Sequence, residues 1–178
     1  MERLEIEATL KSFRIIADTR EQATPASKER FAAFGVPVER ATLRYCDYAA
    51  NITLPGGRPL HDIARTLSPA CVIERKMSLD ELAGCFTRSR ERFEREFVRA
   101  LDSGARVYLL VEDASFEGIL NHRYKSRFSP AAYMASLTAW MIRYDITPLF
   151  CRRPTSGAVI KEVLYRDIKE RLERGEYG

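Results

Sequence analysis

An apolar run that ends in alternating charges constrains this chain more than any other feature of its sequence. Residues 71–76 read Cys-Val-Ile-Glu-Arg-Lys, which is typical of a buried strand whose last residues reach the surface. Because residues i and i+2 of a strand point to the same face, Glu74 and Lys76 are expected to converge while Arg75 points away. A carboxylate can hold a hard cation, and an ammonium can offset charge that develops on a phosphate. The segment therefore suits phosphodiester hydrolysis, although a lone Glu-x-Lys is also typical of an ordinary strand end with solvated charges.

Two further acids adjoin strand-like segments. Asp18 closes the apolar segment 13–17, and Asp47 stands at the start of the strand-like run 48–54. A Mg²⁺ site needs more than one protein carboxylate. Three acids next to strands, together with Lys76, therefore favour a metal-dependent site over a solvated strand end.

These motifs occur in a recognisable order. Asp-Thr-Arg-Glu spans residues 18–21, Cys-Asp-Tyr spans 46–48, and Glu-Arg-Lys spans 74–76, with Asp80 four residues beyond the lysine. This arrangement, over roughly residues 13–150, resembles the nuclease domain of the XPF family of structure-specific endonucleases. That family is marked by Glu-Arg-Lys-x-x-x-Asp after an earlier Gly-Asp, and it belongs to the restriction-endonuclease-like PD-(D/E)xK superfamily. Cys46 stands where the family usually has glycine, so the backbone there is expected to be more restricted.

The resemblance implies a fold and a chemistry. The fold is α/β and restriction-endonuclease-like, with a mixed central β-sheet flanked by helices, and the activity is Mg²⁺-dependent DNA cleavage in which Mn²⁺ can substitute. In this reading Asp47, Glu74 and the backbone carbonyl of Arg75 bind the metal. The remaining expected roles are steering of the nucleophile by Lys76, orientation of the metal ligands by Asp18 and Glu21, and support of the site by the Arg75 side chain.

Asp80 has two open interpretations. Ser78 is a plausible N-cap with Glu81 three residues later, so a helix is predicted to begin at Leu79 with Asp80 in its first turn. There Asp80 either interacts with the helix dipole or, by the resemblance, positions the neighbouring lysine or arginine.

Basic residues form two candidate DNA-binding groups, and Arg20 is a further single candidate. In a predicted helix over residues 87–103, arginines lie opposite a phenylalanine face. This stripe is either a solvated face with local glutamate partners or a phosphate-binding surface, which guanidinium groups suit. A loop at 121–128 mixes bases with aromatics, as in loops that bind single strands and in ordinary exposed connections. The candidates are Arg20, Arg88, Arg92, Arg95, Arg99, Arg123, Lys125 and Arg127.

Composition limits the class of protein. The chain has 178 residues, 46% of them hydrophobic, and a net charge of +4. It is therefore expected to form one domain, residues 1–178, and to tolerate a nucleic-acid partner. Its four cysteines form no CxxC pair, which disfavours zinc and suggests reduced thiols. With a charged N-terminus and no long apolar run, the protein is expected to be intracellular, cytoplasmic or associated with the nucleoid, without contact with a membrane.

Other segments have specific predictions. Residues 4–10 alternate apolar and polar, as in an edge strand or a mobile arm, and segments 36–43 and 48–54 are predicted to pair as a hairpin. No helix-hairpin-helix module of the kind usual in the family is recognisable. The helix Pro130–Tyr144 is rich in apolar residues, which favours a homodimer or a separate DNA-binding partner, unless the helix that begins at Ser156 covers it. The apolar residues in question are Met134, Leu137, Trp140 and Met141.

The function remains open in one respect. The chain is predicted to be a DNA endonuclease in repair, recombination or a mobile element. The alternative is a DNA-binding or assembly subunit that retains the fold without cutting. Inactive partners in the family typically lose the acids, whereas Asp18, Asp47, Glu74 and Lys76 are all present. The sequence therefore favours the enzyme.

Overall fold

The computed structural model describes residues 2–177 as a mixed sheet between two layers of helices. The strands are β1 (Arg14–Asp18), β2 (Val38–Ala41), β3 (Tyr48–Asn51), β4 (Cys71–Lys76), β5 (Arg106–Glu112) and β6 (Ile146–Cys151). The α-helices are α1 (Arg3–Leu10), α2 (Pro25–Phe34), α3 (Leu79–Thr87), α4 (Arg90–Asp102), α5 (Phe116–Leu120), α6 (Pro130–Tyr144) and α7 (Ser156–Glu173). The strand order is β2-β1-β3-β4-β5-β6. This confirms the predicted α/β fold with a mixed central sheet.

The first half of the sheet differs from the predicted hairpin. Strand β2 pairs with β1 in parallel, and β3 pairs with the other side of β1 in antiparallel orientation. The prediction that segments 36–43 and 48–54 pair with each other is therefore wrong. The chain crosses the end of β1 instead, where the backbone N–H of Leu43 donates to the Asp18 carboxylate at 2.7 Å. The sequence pattern of two strands and a connecting loop is the same for a hairpin as for this crossover. Only the pairing of β2 and β3 with β1 distinguishes the two arrangements.

The second half of the sheet is parallel. Strands β4, β5 and β6 run in the same direction, so that Lys76 lies beside Val111 and Glu112 beside Cys151. Helices α3 and α4 connect β4 to β5, as expected for a parallel crossover. The C-terminal ends of these strands consequently share one edge of the sheet, and this edge carries the charged residues that follow each apolar run.

The N-terminal segment is a helix, so the predicted edge strand or mobile arm is wrong. Ile6 and Leu10 lie four residues apart and are both buried against the core that includes α7. Glu2 and Glu5 form a reciprocal capping box at the start of the helix. Burial of this i, i+4 pair against α7 favours the helix over a strand that would have needed a free sheet edge.

Each face of the sheet has its own apolar core. Helices α3, α4 and α6 cover one face around the buried Trp140, whose ring centroid is 4.9 Å from that of Phe86 and 5.3 Å from that of Phe93. Helices α1, α2 and α7 cover the other face. Trp140 is thus covered by its own layer, and the alternative that the last helix covers it is wrong. In the described part of the chain, no helix combines the length and apolar character needed to cross a membrane.

The segment after β4 forms the two predicted helices, one beginning at Leu79 and the other lying within the predicted range 87–103. Helix α3 begins after Ser78, whose hydroxyl accepts from the Glu81 N–H at 3.2 Å, and this confirms the predicted N-cap. The chain turns at Arg88 and Ser89 before α4 begins at Arg90. This turn lets Phe86 and Phe93 meet edge to face, with centroids 6.1 Å apart.

Candidate active site

Asp47, Glu74 and Lys76 line one cavity at the end of β4. The cavity has a volume of about 330 Å³ and opens between the sheet and helices α3 and α4. Glu74 is buried at 5% exposure, and Lys76 forms an ion pair with it. The alternation of the strand thus places both side chains on one face, as predicted. Arg75 is absent from the cavity lining, and its guanidinium forms an ion pair with Glu112 instead.

The backbone of Asp47 is held between two strands. Its N–H donates to the carbonyl of Ile73 at 3.0 Å, and its own carbonyl accepts from the N–H of Asp18 at 2.8 Å. The Oδ2 atom of its side chain accepts from the N–H of Arg75 at 2.8 Å. Asp47 is therefore fixed to β1 by its backbone and to β4 by both backbone and carboxylate.

Burial and charge set the protonation of this site. Burial, reinforced by the nearby Glu74 carboxylate, raises the pKa of Asp47 to about 8. Burial opposes the charge on Lys76, but the Glu74 and Asp47 carboxylates outweigh this effect and raise the lysine pKa. With two carboxylates close to one ammonium, the Asp47 carboxyl group still holds its proton near neutral pH. A divalent cation would relieve the same repulsion.

Cys46 adopts a backbone conformation that suits glycine. Its φ angle is 61°, in the left-handed region, and its side chain is only 1% exposed. Its N–H donates to Glu96 at 3.3 Å, and burial, with nearby carboxylates, raises the pKa of its thiol. The expected backbone restriction thus takes the form of an unfavourable φ angle that places Asp47, the next residue, at the cavity. A second thiol, Cys85, also lines the cavity, and burial raises its pKa to about 11.

Asp18 and Arg20 hold the loop that precedes Asp47. The two oxygens of the fully buried Asp18 carboxylate accept from Arg20, at 2.6 Å from Nε, and from the N–H of Leu43, at 2.7 Å. The Arg20 guanidinium also donates to the carbonyls of Leu43 and Cys46, at 3.3 and 3.4 Å. The Arg20 side chain is still 52% exposed and lines the cavity. Asp18 thus supports the loop from beneath, while Arg20 reaches the site itself.

Glu21 lies on the opposite face of the sheet in a cluster of four charges. Arg30 of α2 contacts Glu21 at 3.1 Å and Glu112 at 3.2 Å, and Arg75 contacts Glu112 at 3.3 Å. Neither Arg30 nor Glu112 was singled out from the sequence. A signal was present for Arg30, because it falls between Ser27 and Phe34 on the buried face of α2. For Glu112 the parallel pairing of β5 with β4 decides the contact.

Asp80 holds the basic loop. Its Oδ1 accepts from the backbone N–H groups of Lys125 and Ser126, at 2.7 and 2.9 Å. It also lies in the first turn of α3, as the dipole interpretation requires. In residues 2–177 its hydrogen bonds reach neither Lys76 nor Arg75, so the structure does not place it as a support for β4.

Comparison with known proteins identifies the family. A family model described as the ERCC4 domain matches residues 17–162, most of the chain. The chain belongs to the ERCC4 domain family. Among curated proteins no match was found.

Two solved structures share the fold of this ERCC4 domain. XPF from Aeropyrum pernix has a TM-score of 0.58 and 21% sequence identity, and the match covers 88% of this chain and 69% of that chain. XPF from Aeropyrum pernix in complex with DNA has a TM-score of 0.59 and 22% identity, and the match covers 88% and 65% of the two chains. At this level of identity the likeness supports the fold, and the active-site assignment depends on the residues themselves.

The arginines of α4 are exposed, and one of them, Arg92, reaches the cavity. Phe93 and Phe97 of α4 are buried while Arg92, Arg95 and Arg99 are exposed, so the predicted amphipathic pattern is present. Arg92 lines the cavity that contains Asp47, Glu74 and Lys76. Arg88 lies at the junction of α3 and α4, outside the helix in which it was expected. In the basic loop Arg123, Lys125 and Arg127 are also exposed.

The donor set fits a hard cation that keeps several waters. Within residues 2–177, no group of three His, Cys, Asp or Glu side chains is arranged to hold a metal. Asp47 and Glu74 are two of the four acids that line the cavity, and the other two are Glu81 and Glu96. Mg²⁺ is typically bound by one or two carboxylates with water completing its coordination. The residues of the ERCC4 domain therefore suit Mg²⁺ better than a metal that needs an all-protein cage.

Proposed function

We propose that this ERCC4 domain is a Mg²⁺-dependent DNA endonuclease in which Mn²⁺ can substitute. The observation that carries the proposal is the meeting of Asp47, Glu74 and Lys76 in one cavity bordered by Arg92. Carboxylates for a hard cation, an ammonium and an exposed guanidinium are the groups that phosphodiester hydrolysis uses. Membership of the ERCC4 family supports the same chemistry.

The metal ligands in this proposal are Asp47, Glu74 and the carbonyl of Arg75. When bound, Mg²⁺ supplies a Lewis acid beside the scissile phosphate. Lys76 keeps its proton because the two carboxylates raise its pKa, so its ammonium is available to orient a water nucleophile and to offset negative charge on the phosphate. The Asp47 carboxylate must lose its proton before it binds a cation.

Asp18 and Glu21 support the metal ligands without binding the metal themselves. Asp18 holds the loop that carries Asp47 through its bond to the N–H of Leu43. Glu21 contacts Arg30 and Arg75 on the far side of β4. Both acids would therefore orient the ligands through the backbone without touching the cation.

The DNA would pass over the cavity along exposed arginines. Arg20 and Arg92 line the cavity, and the remaining basic side chains of α4 and of the 121–128 loop are exposed on the surface. A solved XPF relative was determined in complex with DNA, and this supports DNA as the polymer. The proposed phosphate contacts are Arg20, Arg88, Arg92, Arg95, Arg99, Arg123, Lys125 and Arg127.

A plasmid-nicking assay tests the function. The wild-type protein is expected to nick supercoiled DNA in Mg²⁺ and to lose the activity in EDTA. Glu74→Gln and Lys76→Ala should each lower the rate by a factor of about 10² to 10³, typical for loss of one electrostatic contact in a transition state. Glu91→Gln, an exposed residue of α4 outside the cavity, is the control and should cut at the wild-type rate.

Two results would contradict this assignment. Cleavage by Glu74→Gln at the wild-type rate would place the active site elsewhere. DNA binding without Mg²⁺-dependent cleavage would favour the non-cutting subunit. End-labelled flap, fork, junction and duplex substrates would then show whether cleavage depends on DNA structure, as expected for a repair or recombination nuclease.

We also propose that α6 and the edge strand β6 form an assembly surface for a homodimer or a DNA-binding partner. Leu137 and Trp140 are buried within their own layer, which removes two of the four side chains first considered. Met134 and Met141 are partly exposed, and Ile142 is 86% exposed. Light scattering at micromolar concentration tests the homodimer: a mass of 20.4 kDa together with tight DNA binding by the monomer would contradict assembly.

A further inference from the structure

A cluster of two buried and two partly buried charges lies on the face of the sheet opposite the candidate active site. The side chains of Arg30 and Glu112 are 3% and 1% exposed, and those of Glu21 and Arg75 are 11% and 13% exposed. Arg30 also donates to the hydroxyl of the buried Tyr48 at 3.2 Å. Two arginines and two glutamates make the cluster formally neutral, and each arginine contacts both acids.

Arg75 connects this cluster to the metal site. Its guanidinium contacts Glu112 at 3.3 Å and Glu21 at 3.7 Å on one face of the sheet. Its backbone N–H donates to the carboxylate of Asp47 at 2.8 Å, and Asp47 lines the cavity on the other face. Because Arg75 stands between Glu74 and Lys76, any shift of its backbone also moves both residues of the Glu-x-Lys pair.

Stability alone does not explain two buried and two partly buried charges at this position. Burying ion pairs carries a desolvation cost that can exceed the Coulombic gain, and well-packed apolar residues often replace such pairs without loss. An ion cluster differs from an apolar contact in being directional, because guanidinium and carboxylate groups fix each other in a plane. At the end of a strand, where hydrogen bonding to the neighbouring strands stops, directional contacts of this kind can hold the backbone in one position.

We propose that Arg30 and Glu112 are positioning residues for the metal ligand Asp47 and act through Arg75. The inference rests on the proposed function, because it takes Asp47 as a metal ligand. Neither Arg30 nor Glu112 lines the cavity, so neither touches the metal, and their effect passes through the backbone of β4. Outer partners of metal ligands typically contribute a factor of about 10 to 100 in metal affinity.

The test uses isosteric and conservative variants of the full chain. Glu112→Gln removes one charge with little change of shape, and Arg30→Lys keeps the charge but loses the planar contacts. Asp167→Asn is the matched control, because Asp167 forms a partly buried ion pair with Arg171 at 2.8 Å within α7, away from the site. Glu112→Gln and Asp167→Asn each remove one charge from an ion pair. Thermal unfolding should show that the two variants destabilise the fold to a similar extent.

Two readouts separate positioning from general stability. Mn²⁺ binding, followed by electron paramagnetic resonance, should weaken about tenfold or more in Glu112→Gln and remain unchanged in Asp167→Asn. Hydrogen exchange at the Arg75 amide, followed by NMR, should accelerate in Glu112→Gln and Arg30→Lys only. Wild-type Mn²⁺ affinity together with wild-type Arg75 exchange in a folded Glu112→Gln protein would overturn the proposal.

The remaining outcomes also decide. If Glu112→Gln does not fold, Arg30→Lys carries the same test with its cluster partly retained. If the wild-type protein binds Mn²⁺ but does not cut DNA, the proposed nuclease function fails while the affinity comparison still measures positioning. If the wild-type protein binds no Mn²⁺, the proposed metal site is wrong. The positioning role is then also overturned if the Arg75 amide exchanges at the same slow rate in the wild type and in every variant.

Discussion

The backbone N–H of Arg75 lies 2.8 Å from the Oδ2 atom of Asp47. One residue of the Glu-x-Lys strand therefore holds a carboxylate that comes from a loop 28 positions earlier in the sequence. This bond brings Asp47 close enough to Glu74 for the two carboxylates to repel each other, and burial adds to the effect. The site thus has the high charge density that a cation would neutralise.

Asp47 should make stability depend on pH in the absence of metal. Its pKa rises from 3.8 to about 8 on folding, so the folded protein binds this proton more tightly than the unfolded chain. The resulting stabilisation is fully present below about pH 4 and is lost as pH rises through 8. Relative to Asp47→Asn, the wild-type Tm in EDTA should therefore fall between pH 5 and pH 8. A difference in Tm that stays constant over this range would contradict the proton on Asp47.

Mg²⁺ should reverse this trend. The carboxylate must be deprotonated to bind the cation, and a ligand that binds only the folded state raises Tm. The increase in wild-type Tm on adding Mg²⁺ should therefore grow from pH 5 to pH 8, and Asp47→Asn should show little increase at either pH. Thermal scans in matched Mg²⁺ and EDTA buffers provide the measurement.

The arginines of α4 should bind the phosphate backbone. Arg92 lines the cavity and Arg95 is exposed on the same helix. Each lost phosphate contact lowers the slope of log K against log salt by roughly 0.7 to 0.9, so Arg92→Ala and Arg95→Ala should each show a reduced slope. Arg166→Ala, an exposed arginine on α7, should keep the wild-type slope. Unchanged slopes in both α4 variants would mean that the stripe is only a solvated face.

Glycine should be better tolerated than alanine at position 46. Cys46 has a φ angle of 61°, and the left-handed conformation costs a residue with a Cβ atom roughly 1–2 kcal/mol. Cys46→Gly and Cys46→Ala both remove the buried sulfur, but only the glycine variant also removes the strain. We expect Cys46→Gly to be the more stable of the two by about 1 kcal/mol in urea denaturation. The opposite order would show that the backbone relaxes to accommodate the side chain.

Asp80 should order the basic loop without affecting metal binding. Its carboxylate accepts two backbone N–H groups, from Lys125 and Ser126, and bonds to a charged group typically contribute about 1.5–3 kcal/mol. In Asp80→Ala, hydrogen exchange at these two amides should accelerate and DNA affinity should fall. The Mg²⁺ concentration at half-maximal cleavage should stay at the wild-type value. A shift of that midpoint would restore the hypothesis that Asp80 supports Lys76.

Local pattern was sufficient for the part of the site that one strand builds. The alternation of β4 places Glu74 and Lys76 together and Arg75 on the opposite face, and this depends only on the pleat of a single strand. The Ser78 cap and the opposite faces of α4 likewise depend on residues three or four positions apart. The order of the acids along the chain was enough to suggest the family.

Tertiary structure decided the contacts between segments that are distant in sequence. Strands β2 and β3 flank β1 because the chain crosses the end of β1 at Leu43, a pairing that no local pattern specifies. Asp80 turns to the loop at Lys125, and Arg30 meets Glu112 from 82 positions away. A carboxylate or guanidinium gains about as much from one suitable partner as from another, so its partner cannot be read from the sequence. The partner is chosen only when the sheet brings the ends of its strands together. The sequence by itself therefore determined which groups the site contains, and the packed sheet decided which neighbours hold them in place.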